Sequence, residues 1–138
     1  MNQTLLLDTC AAIWIVNNEW MRDVAVAAMD EASDRGDFVF VSPITGWEIG
    51  LLASRGRFKA RLTPQRWLQH LLGTPNIRLA EMPSALLLES SHLPGSPPRD
   101  PADRIIAATA REYGFTVMTR DSGLLAYASQ GHMSAVEC

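Results

Sequence analysis

The stretch "RDPADRIIAATAREYGFTVMTRD", residues 99–121, joins a helix signal to a strand signal and contains three aspartates. Asp100 is a favoured helix N-cap, and the proline after it suits the first helical position. Asp103 falls in the first turn, where the helix dipole favours negative charge. The apolar run 115–119 then predicts a strand, with Asp121 two residues beyond it. Capping alone explains the helix start, so the rest of the chain must show whether these carboxylates also bind something.

Short apolar runs alternate with amphipathic helical segments along the whole sequence. This alternation favours βαβ units, and hence an α/β fold with a central, mostly parallel sheet flanked by helices on both faces. We expect one domain over residues 1–138. Ligands of such sheets bind beyond the carboxyl ends of the strands, where the strand order reverses. The predicted strands are 4–7, 38–41, 76–82 and 115–119, with a weak edge strand at 133–138.

Cap and stop residues predict the limits of the second helix. It is placed at about 20–35, with Asn18 as its cap and Gly36 as its stop. Trp20 and Val24 are assigned to its apolar face, together with small alanines.

Composition excludes several classes of protein. The chain has 138 residues, a net charge of −3 and 47% hydrophobic residues, which is ordinary for a globular domain and gives no global footprint for nucleic acid. No signal peptide or membrane-spanning run is recognisable, so we expect a cytoplasmic protein with no membrane partner. Cys10 and Cys138 follow no disulfide pattern, and His70, His92 and His132 share no zinc-ligand spacing.

Four acidic residues are placed to meet at one edge of this sheet. Asp8 follows the first strand, Glu48 lies in the helix after the second, Asp103 precedes the fourth strand and Asp121 follows it. Clustered carboxylates raise one another's pKa values, and a bound cation removes that penalty. Oxygen ligands without His or Cys select Mg²⁺ or Mn²⁺. Each residue also has a local alternative, since Asp8 and Asp121 can cap helices and Glu48 can face solvent.

Glu48 has apolar neighbours on both sides in sequence, so its carboxylate needs a partner. Gly46 and Gly50 flank it inside a helix, at a cost of about 1 kcal/mol each relative to alanine. We interpret these glycines as positions where another group approaches the backbone closely.

Four ordered motifs resemble those of the PIN domain, and in particular of the VapC toxins of VapBC toxin–antitoxin modules. The resemblance extends over essentially the whole chain, and its most specific part is the helix at 100–114. One departure is the proline at position 98, where many relatives have histidine. The motifs are "LLLDT" (5–9), "SPITGWEIGLL" (42–52), "DPADRIIAATAREYG" (100–114) and "VMTRDSGLL" (117–125).

This resemblance implies a set of functional residues. Asp8, Glu48, Asp103 and Asp121 would be catalytic, metal-binding acids, with Asp100 as a neighbour whose direct ligation is open. The residues implied to line the site and contact substrate are Thr9, Ser42, Thr119 and Ser122.

The resemblance also implies the reaction and the partners. One or two Mg²⁺ or Mn²⁺ ions would activate water for hydrolysis of an RNA phosphodiester, with tRNA among the candidate substrates. A VapB-like antitoxin would dock on the helices around 11–29, and the chain would form a homodimer. We refer to residues 54–61, "SRGRFKAR", as the basic segment, and we expect its Arg55, Arg57 and Lys59 to guide RNA, although a solvated turn is the alternative. Trp14, Trp47, Trp67 and Met21 are expected in the core or an interface rather than as base-stacking platforms.

Two rival classes also use acidic residues at strand ends. A receiver-like Mg²⁺-binding signalling domain needs a lysine after the last strand, whereas Lys59 is the only lysine. A haloacid-dehalogenase-like phosphotransferase needs a second aspartate two residues after Asp8, where this chain has Cys10. A non-catalytic PIN-like binding module is the remaining alternative, and the complete acidic set argues against it.

Overall fold

The computed structural model describes residues 3–138, in which short strands alternate with helices. No helix in this range is long and apolar enough to cross a membrane. The strands are β1 (Leu5–Leu7), β2 (Val39–Val41), β3 (Ile77–Leu79), β4 (Thr116–Thr119) and β5 (Ser134–Glu137). The helices are α1 (Thr9–Val16), α2 (Asp23–Arg35), α3 (Ile44–Ser54), α4 (Pro64–Gly73), α5 (Ser84–Ser90), α6 (Pro101–Tyr113) and α7 (Ser122–Ser129).

The strands form one sheet in the order β3-β2-β1-β4-β5, and every neighbouring pair is parallel. Leu6 of β1 is in register with Phe40 on one side and with Val117 on the other. The chain moves outward from β1 through β2 to β3, then returns to place β4 on the opposite side. The order therefore reverses between β1 and β4, and the carboxyl ends of these two strands are where a ligand is expected.

Side chains of β1 alternate between two apolar layers, because successive strand residues point to opposite faces. Leu5 and Leu7 join a cluster with Trp67 and residues of α1 and α2 on one face. Leu6 joins Ile106 and other residues of α6, β4 and α7 on the opposite face. Helices thus cover both faces of the sheet, and the predicted fold class is confirmed.

The limits of α2 differ from the prediction. The helix starts at Asp23, Arg22 rather than Asn18 is at its N-cap, and Asn18 has a φ of 55° in a turn. Trp20 precedes the helix and is 73% exposed, and Val24 is 57% exposed, so their assignment to the buried face was wrong. Small alanines instead form the buried stripe, which lets the helix approach the core closely, and Gly36 ends the helix with a φ of 69° as predicted.

The tryptophans and Met21 occupy different environments. Trp67 and Met21 are buried in the core, and Trp14 packs against it. Trp47 is 54% exposed and is therefore not a core residue.

Candidate active site

Asp8 lies directly after β1 and is 3% exposed. Its Oδ1 accepts a hydrogen bond from the backbone N–H of Ala11 at 2.8 Å, which caps α1. Its Oδ2 accepts a hydrogen bond from the Thr119 hydroxyl at 2.5 Å. Both oxygens are thereby held in place, so the local capping role and the predicted position at the strand edge are compatible.

Thr119 connects Asp8 to Asp121. Besides donating to Asp8, its hydroxyl oxygen accepts from the backbone N–H of Asp121 at 2.9 Å. The Asp121 carboxylate in turn caps α7, accepting from the N–H of Leu124 at 2.9 Å. Because β1 and β4 are neighbours in the sheet, these contacts place the two aspartates at the point where the strand order reverses.

Glu48 projects from the second turn of α3 and is held by Thr9. The Thr9 hydroxyl donates to Glu48 Oε1 at 2.5 Å and lies 3.1 Å from the Thr45 hydroxyl. Thr9 and Thr45 are both buried. Thr9 therefore orients a carboxylate, and Thr45 is a supporting residue that sequence reasoning missed, since nothing in a helical threonine marks such a contact.

Asp100 and Asp103 begin α6. The exposed Asp100 is the N-cap, and its Oδ1 accepts from the backbone N–H of Asp103 at 3.0 Å. The half-buried Asp103 is close enough to the other acids to interact with them electrostatically. We call the set Asp8, Glu48, Asp100, Asp103 and Asp121 the acidic cluster.

The acidic cluster is desolvated and mutually repulsive. Burial raises the pKa of Asp8, although hydrogen bonds from Thr119 and Ala11 partly offset the increase. Burial also raises the pKa of Glu48, and neighbouring carboxylates raise it further. For Asp103 burial and the other four carboxylates together raise the pKa to about 8. No ion pair between residues 3–138 neutralises any of the five acids.

Cys10 is exposed as a residue, but its thiol is partly desolvated beside the cluster. Burial of its sulfur and the nearby carboxylates raise its pKa to about 12. It therefore stays protonated at neutral pH, and a thiolate nucleophile is not available there.

The donor chemistry of the cluster fits a hard divalent cation, because every donor is a carboxylate oxygen and no residue in 3–138 forms an ion pair with these charges. Within the described residues, no three His, Cys, Asp or Glu side chains are already arranged to hold a metal ion. Protein donors engage one oxygen each of Glu48, Asp100 and Asp121 and both oxygens of Asp8. Each carboxylate oxygen has a second lone pair, so these hydrogen bonds leave acceptor capacity for a cation.

The other predicted site residues differ in their exposure to solvent. Ser42 is buried, and its hydroxyl accepts from the backbone N–H of Ile44 at the start of α3, whereas Ser122 is exposed at the start of α7. Arg55, Arg57 and Lys59 are exposed beyond the end of α3.

The basic segment lies away from the acidic cluster along α1. Asn17, at the C-cap of α1, donates from Nδ2 to the Lys59 carbonyl at 3.2 Å. Asp8 caps the opposite end of that helix, roughly 14 Å away along the axis. Guidance of RNA by this segment would therefore act on nucleotides outside the acidic cluster.

The glycines near the cluster differ in the space around them. A Cβ at Gly50 would meet nothing within 4 Å, and one at Gly46 would only touch Leu68 at 3.9 Å, so no other part of the protein approaches either backbone closely. At Gly123, in contrast, a Cβ would lie 3.1 Å from Asp121 Oδ2. Gly123 therefore leaves room for this carboxylate, which sequence reasoning missed.

An Asp103→Asn substitution is expected to stabilise the metal-free protein increasingly as the pH rises above about 4, and fully above about 8. The unfolded chain ionises this carboxyl near pH ~4, whereas the folded chain retains the proton to about pH 8. The contribution of this raised pKa to the free energy of unfolding of the wild type is therefore fully present below pH ~4. It is lost as the pH rises through about 8. Solvent screening of this part-exposed group limits the gain above that pH to about 1 kcal/mol, or about 3–5 °C in Tm.

Thermal unfolding in EDTA across this pH range measures the difference between the two proteins. A difference in Tm between wild type and Asp103→Asn that is the same at every pH would contradict the raised pKa of Asp103.

Comparison with known proteins shows a family match for this chain. The family model described as PIN domain matches residues 5–130. Ribonuclease VapC22 of Mycobacterium tuberculosis is 32% identical over 123 residues, which cover 88% of this chain and 89% of that protein.

Two solved structures have a similar fold. The structure of VapBC2 from Rickettsia felis, bound to a DNA fragment from its promoter, matches with a TM-score of 0.69 and 13% identity and covers 98% of each chain. FitAcB from Neisseria gonorrhoeae matches with a TM-score of 0.57 and 23% identity over 96% of each chain. At these identities the likeness concerns the fold alone.

Proposed function

This chain belongs to the PIN-domain family, and we propose that it is a divalent-metal-dependent endoribonuclease, the toxin of a type II toxin–antitoxin module. The observation that supports this most directly is the acidic cluster. Five carboxylates from separate parts of the chain influence one another at the strand-order reversal, without a protein counter-charge among residues 3–138. Such a cluster lowers stability unless a cation or a ligand uses it.

Each residue of the cluster has a role that follows from its contacts. Asp8 is the most constrained carboxylate, because Thr119 and the start of α1 hold its two oxygens. Thr9 holds Glu48 toward the same edge. Mg²⁺ or Mn²⁺ would be held by Asp8, Glu48, Asp103 and Asp121, with Asp100 at the exposed rim, and when bound such an ion activates water and neutralises charge developing on a phosphodiester.

Two groups of the metal-free site carry a proton at neutral pH. Asp103 has a pKa of about 8, so without a cation it is protonated at neutral pH. Cys10 stays protonated under the same conditions, so it does not supply a thiolate nucleophile there.

RNA cleavage is expected to require added divalent metal. Purified protein incubated with total RNA in Mg²⁺ or Mn²⁺ should yield discrete fragments on a sequencing gel. EDTA should reduce cleavage to the level of a reaction without protein, because the bare acidic cluster repels phosphate. Excess Mg²⁺ should restore it.

The matched control for an acidic-cluster variant such as Asp8→Asn is Asp34→Asn, which removes an exposed carboxylate of α2 outside the cluster. This variant should cleave like wild type, which excludes a general effect of net charge. Cleavage that persists unchanged in EDTA would contradict the proposal. Phosphorylation of Asp8 by acetyl phosphate, seen as a mass increase, would favour the receiver-like alternative, although Lys59 lies at the far end of α1 from this residue.

The α1–α2 face is our proposed docking surface for a VapB-like antitoxin. Trp20 is 73% and Val26 45% exposed there, beside a cavity of about 260 Å³ whose lining includes Trp14 and Met29. Contiguous exposed apolar side chains favour a protein partner. Co-expression with a VapB-like protein, followed by co-purification, tests the pairing, and light scattering tests the homodimer that the resemblance implies.

A further inference from the structure

Arg120 follows β4 and directly precedes Asp121 of the acidic cluster. Its guanidinium stacks on Trp14 of α1, with 3.8 Å from Cζ to the ring centroid, and its Nε donates to the Cys138 carbonyl at 2.9 Å. Within residues 3–138 its two outer nitrogens form no hydrogen bond and no ion pair. Arg120 is therefore an exposed cation that is held in place, while the outer edge of its guanidinium stays available to an anion.

The contact with Trp14 places this guanidinium beside α1. Asp8 caps the start of that helix, and Trp14 lies six residues further on, about 9 Å along the axis. Cys10, which lies beside the acidic cluster, is four residues before Trp14, and Asn17 is three residues after it. Residues with these spacings are neighbours on one face of a helix. This face of α1 therefore leads from the acidic cluster, past Arg120, to the end of the helix.

A cavity of about 810 Å³ opens at the end of α1, where the basic segment forms part of its wall. Its exposed Lys59 and Arg61 form no ion pair within residues 3–138. The end of α1 carries about half a negative charge from the helix dipole, which these two formal positive charges outweigh. We call it the Lys59 cavity; its polar and charged lining residues are Asn17, Asn18, Lys59, Arg61 and His70.

Two cationic positions along one helix face match a chain of negative charges better than a single anion. One nucleic-acid strand carries a charge at about every 3.4 Å when its bases are stacked. The 9 Å between Asp8 and Trp14 along the axis therefore correspond to about two or three nucleotides, and the roughly 14 Å to the end of α1 to about four.

We propose that this face of α1 guides a single strand of the RNA substrate away from the acidic cluster. Arg120 would bind a backbone phosphate about two or three nucleotides from the cleaved bond, and the Lys59 cavity would bind a later one. This inference rests on the proposed ribonuclease function. Arg120 is then a positioning residue, because it touches the RNA away from the reacting atoms.

The position of this path favours RNA over an antitoxin as its occupant. It begins at the acidic cluster, where the cleaved phosphodiester would lie, and its side-chain charges are positive. Trp14 also lines the α1–α2 cavity of the proposed antitoxin surface. A docked antitoxin would therefore cover Trp14 and displace RNA from Arg120.

RNA binding can be measured without catalysis. The probe is a fluorescein-labelled oligouridylate of about 12 nucleotides, long enough to span the path, and its anisotropy is followed in EDTA at several salt concentrations. Arg120→Gln should lower the slope of log K against log salt by about 0.7, which is the value for one phosphate contact on a single strand. The same contact contributes about 5-fold in affinity at about 0.1 M salt. Lys59→Gln should have a similar effect.

Arg78→Gln is the matched control. Arg78 is also exposed and also stacks on an aromatic ring, with 3.7 Å from its Cζ to the Phe38 centroid, but it lies on the opposite edge strand, β3. Its removal should leave the salt slope unchanged. Arg120→Lys should retain the slope, because an ammonium also binds phosphate.

Cleavage kinetics in Mg²⁺ provide the second measurement. With the same oligonucleotide, Arg120→Gln should raise KM about 5-fold and leave kcat unchanged, because a contact with an unreacting phosphate is equal in the ground state and the transition state. A dinucleotide has its only phosphodiester at the acidic cluster. Wild type and Arg120→Gln should therefore cleave it at the same rate.

The outcomes separate the two proposals. A lower slope in Arg120→Gln and Lys59→Gln, with no cleavage under any metal condition, would support the path along α1 and reject the nuclease. Cleavage with an unchanged slope in both variants would reject the path and leave the nuclease intact. If Arg120→Gln lowers only the Tm, Arg120 is a structural contact of Trp14 and the proposal is wrong. If it weakens binding of a VapB-like protein but not of RNA, the anion at Arg120 belongs to the antitoxin, and the proposal is again wrong.

Discussion

An Asp8→Asn protein is expected to fold normally and to lose RNA cleavage by at least about 100-fold, since loss of a ligand should exceed the 10- to 100-fold typical of its supporting residues. Asparagine keeps an oxygen to accept from the N–H of Ala11, so the cap of α1 survives. Its amide can also donate to the Thr119 hydroxyl, which contacts Oδ2 in the wild type. Only the negative charge that attracts a cation is removed.

Initial cleavage rates in Mg²⁺, together with circular dichroism and thermal unfolding in EDTA, measure this effect. Asp34→Asn again provides the charge-matched control, because it lies on the outer surface of α2. The metal-free Asp8→Asn protein should be at least as stable as wild type, because burial raises the pKa of Asp8 and its ionised form is disfavoured. Wild-type rates from a correctly folded Asp8→Asn protein would eliminate Asp8 from the catalytic set.

A Trp67→Ala protein is expected to lose about 3–5 kcal/mol of unfolding free energy. Trp67 of α4 is completely buried in the apolar layer that contains Leu5 and Leu7. Its ring packs edge-on against the Phe58 ring, with 5.7 Å between the ring centroids. Alanine would leave a large cavity in that layer. Urea unfolding followed by circular dichroism should show a lower midpoint with little change in slope.

Trp67→Phe is the informative companion to this substitution. The indole Nε1 has no hydrogen-bond partner within the described part of the chain, so phenylalanine removes an unsatisfied donor while keeping most of the apolar volume. Its loss should be smaller than that of Trp67→Ala. Trp20→Ala should change stability by less than about 0.5 kcal/mol, as surface substitutions usually do. A loss below about 1 kcal/mol in Trp67→Ala would contradict the assigned packing.

Local signals predicted the fold because the strands are short, buried and separated by capped helices. Asp100 is the N-cap of α6 and Gly114 its C-cap. The geometry of both caps depends only on neighbouring residues. The start of α2 could not be predicted in this way. Asn18 is a good cap by type, yet it adopts a left-handed conformation in a turn, and the helix starts later.

The positions of site residues that depend only on strand order could be predicted from the sequence. Asp8 and Asp121 follow neighbouring parallel strands, so any parallel sheet with this order brings them to one edge. The hydrogen bond from Thr9 to Glu48 joins residues 39 apart in sequence and depends on how α3 packs, which no local pattern shows. The exposure of Trp47 is likewise a property of the space between α3 and α6, since its sequence neighbours are those of a core residue.

Three of the acids occupy helix starts: Asp8 at α1, Asp100 at α6 and Asp121 at α7. Their oxygens satisfy first-turn amides that otherwise have no intrahelical partner. A bound cation would use the remaining acceptor sites of the same carboxylates, so the order of these helix starts becomes linked to the ionic composition of the surroundings. Local motion at one edge of the sheet would then respond to metal supply while the strands beneath it remain unchanged.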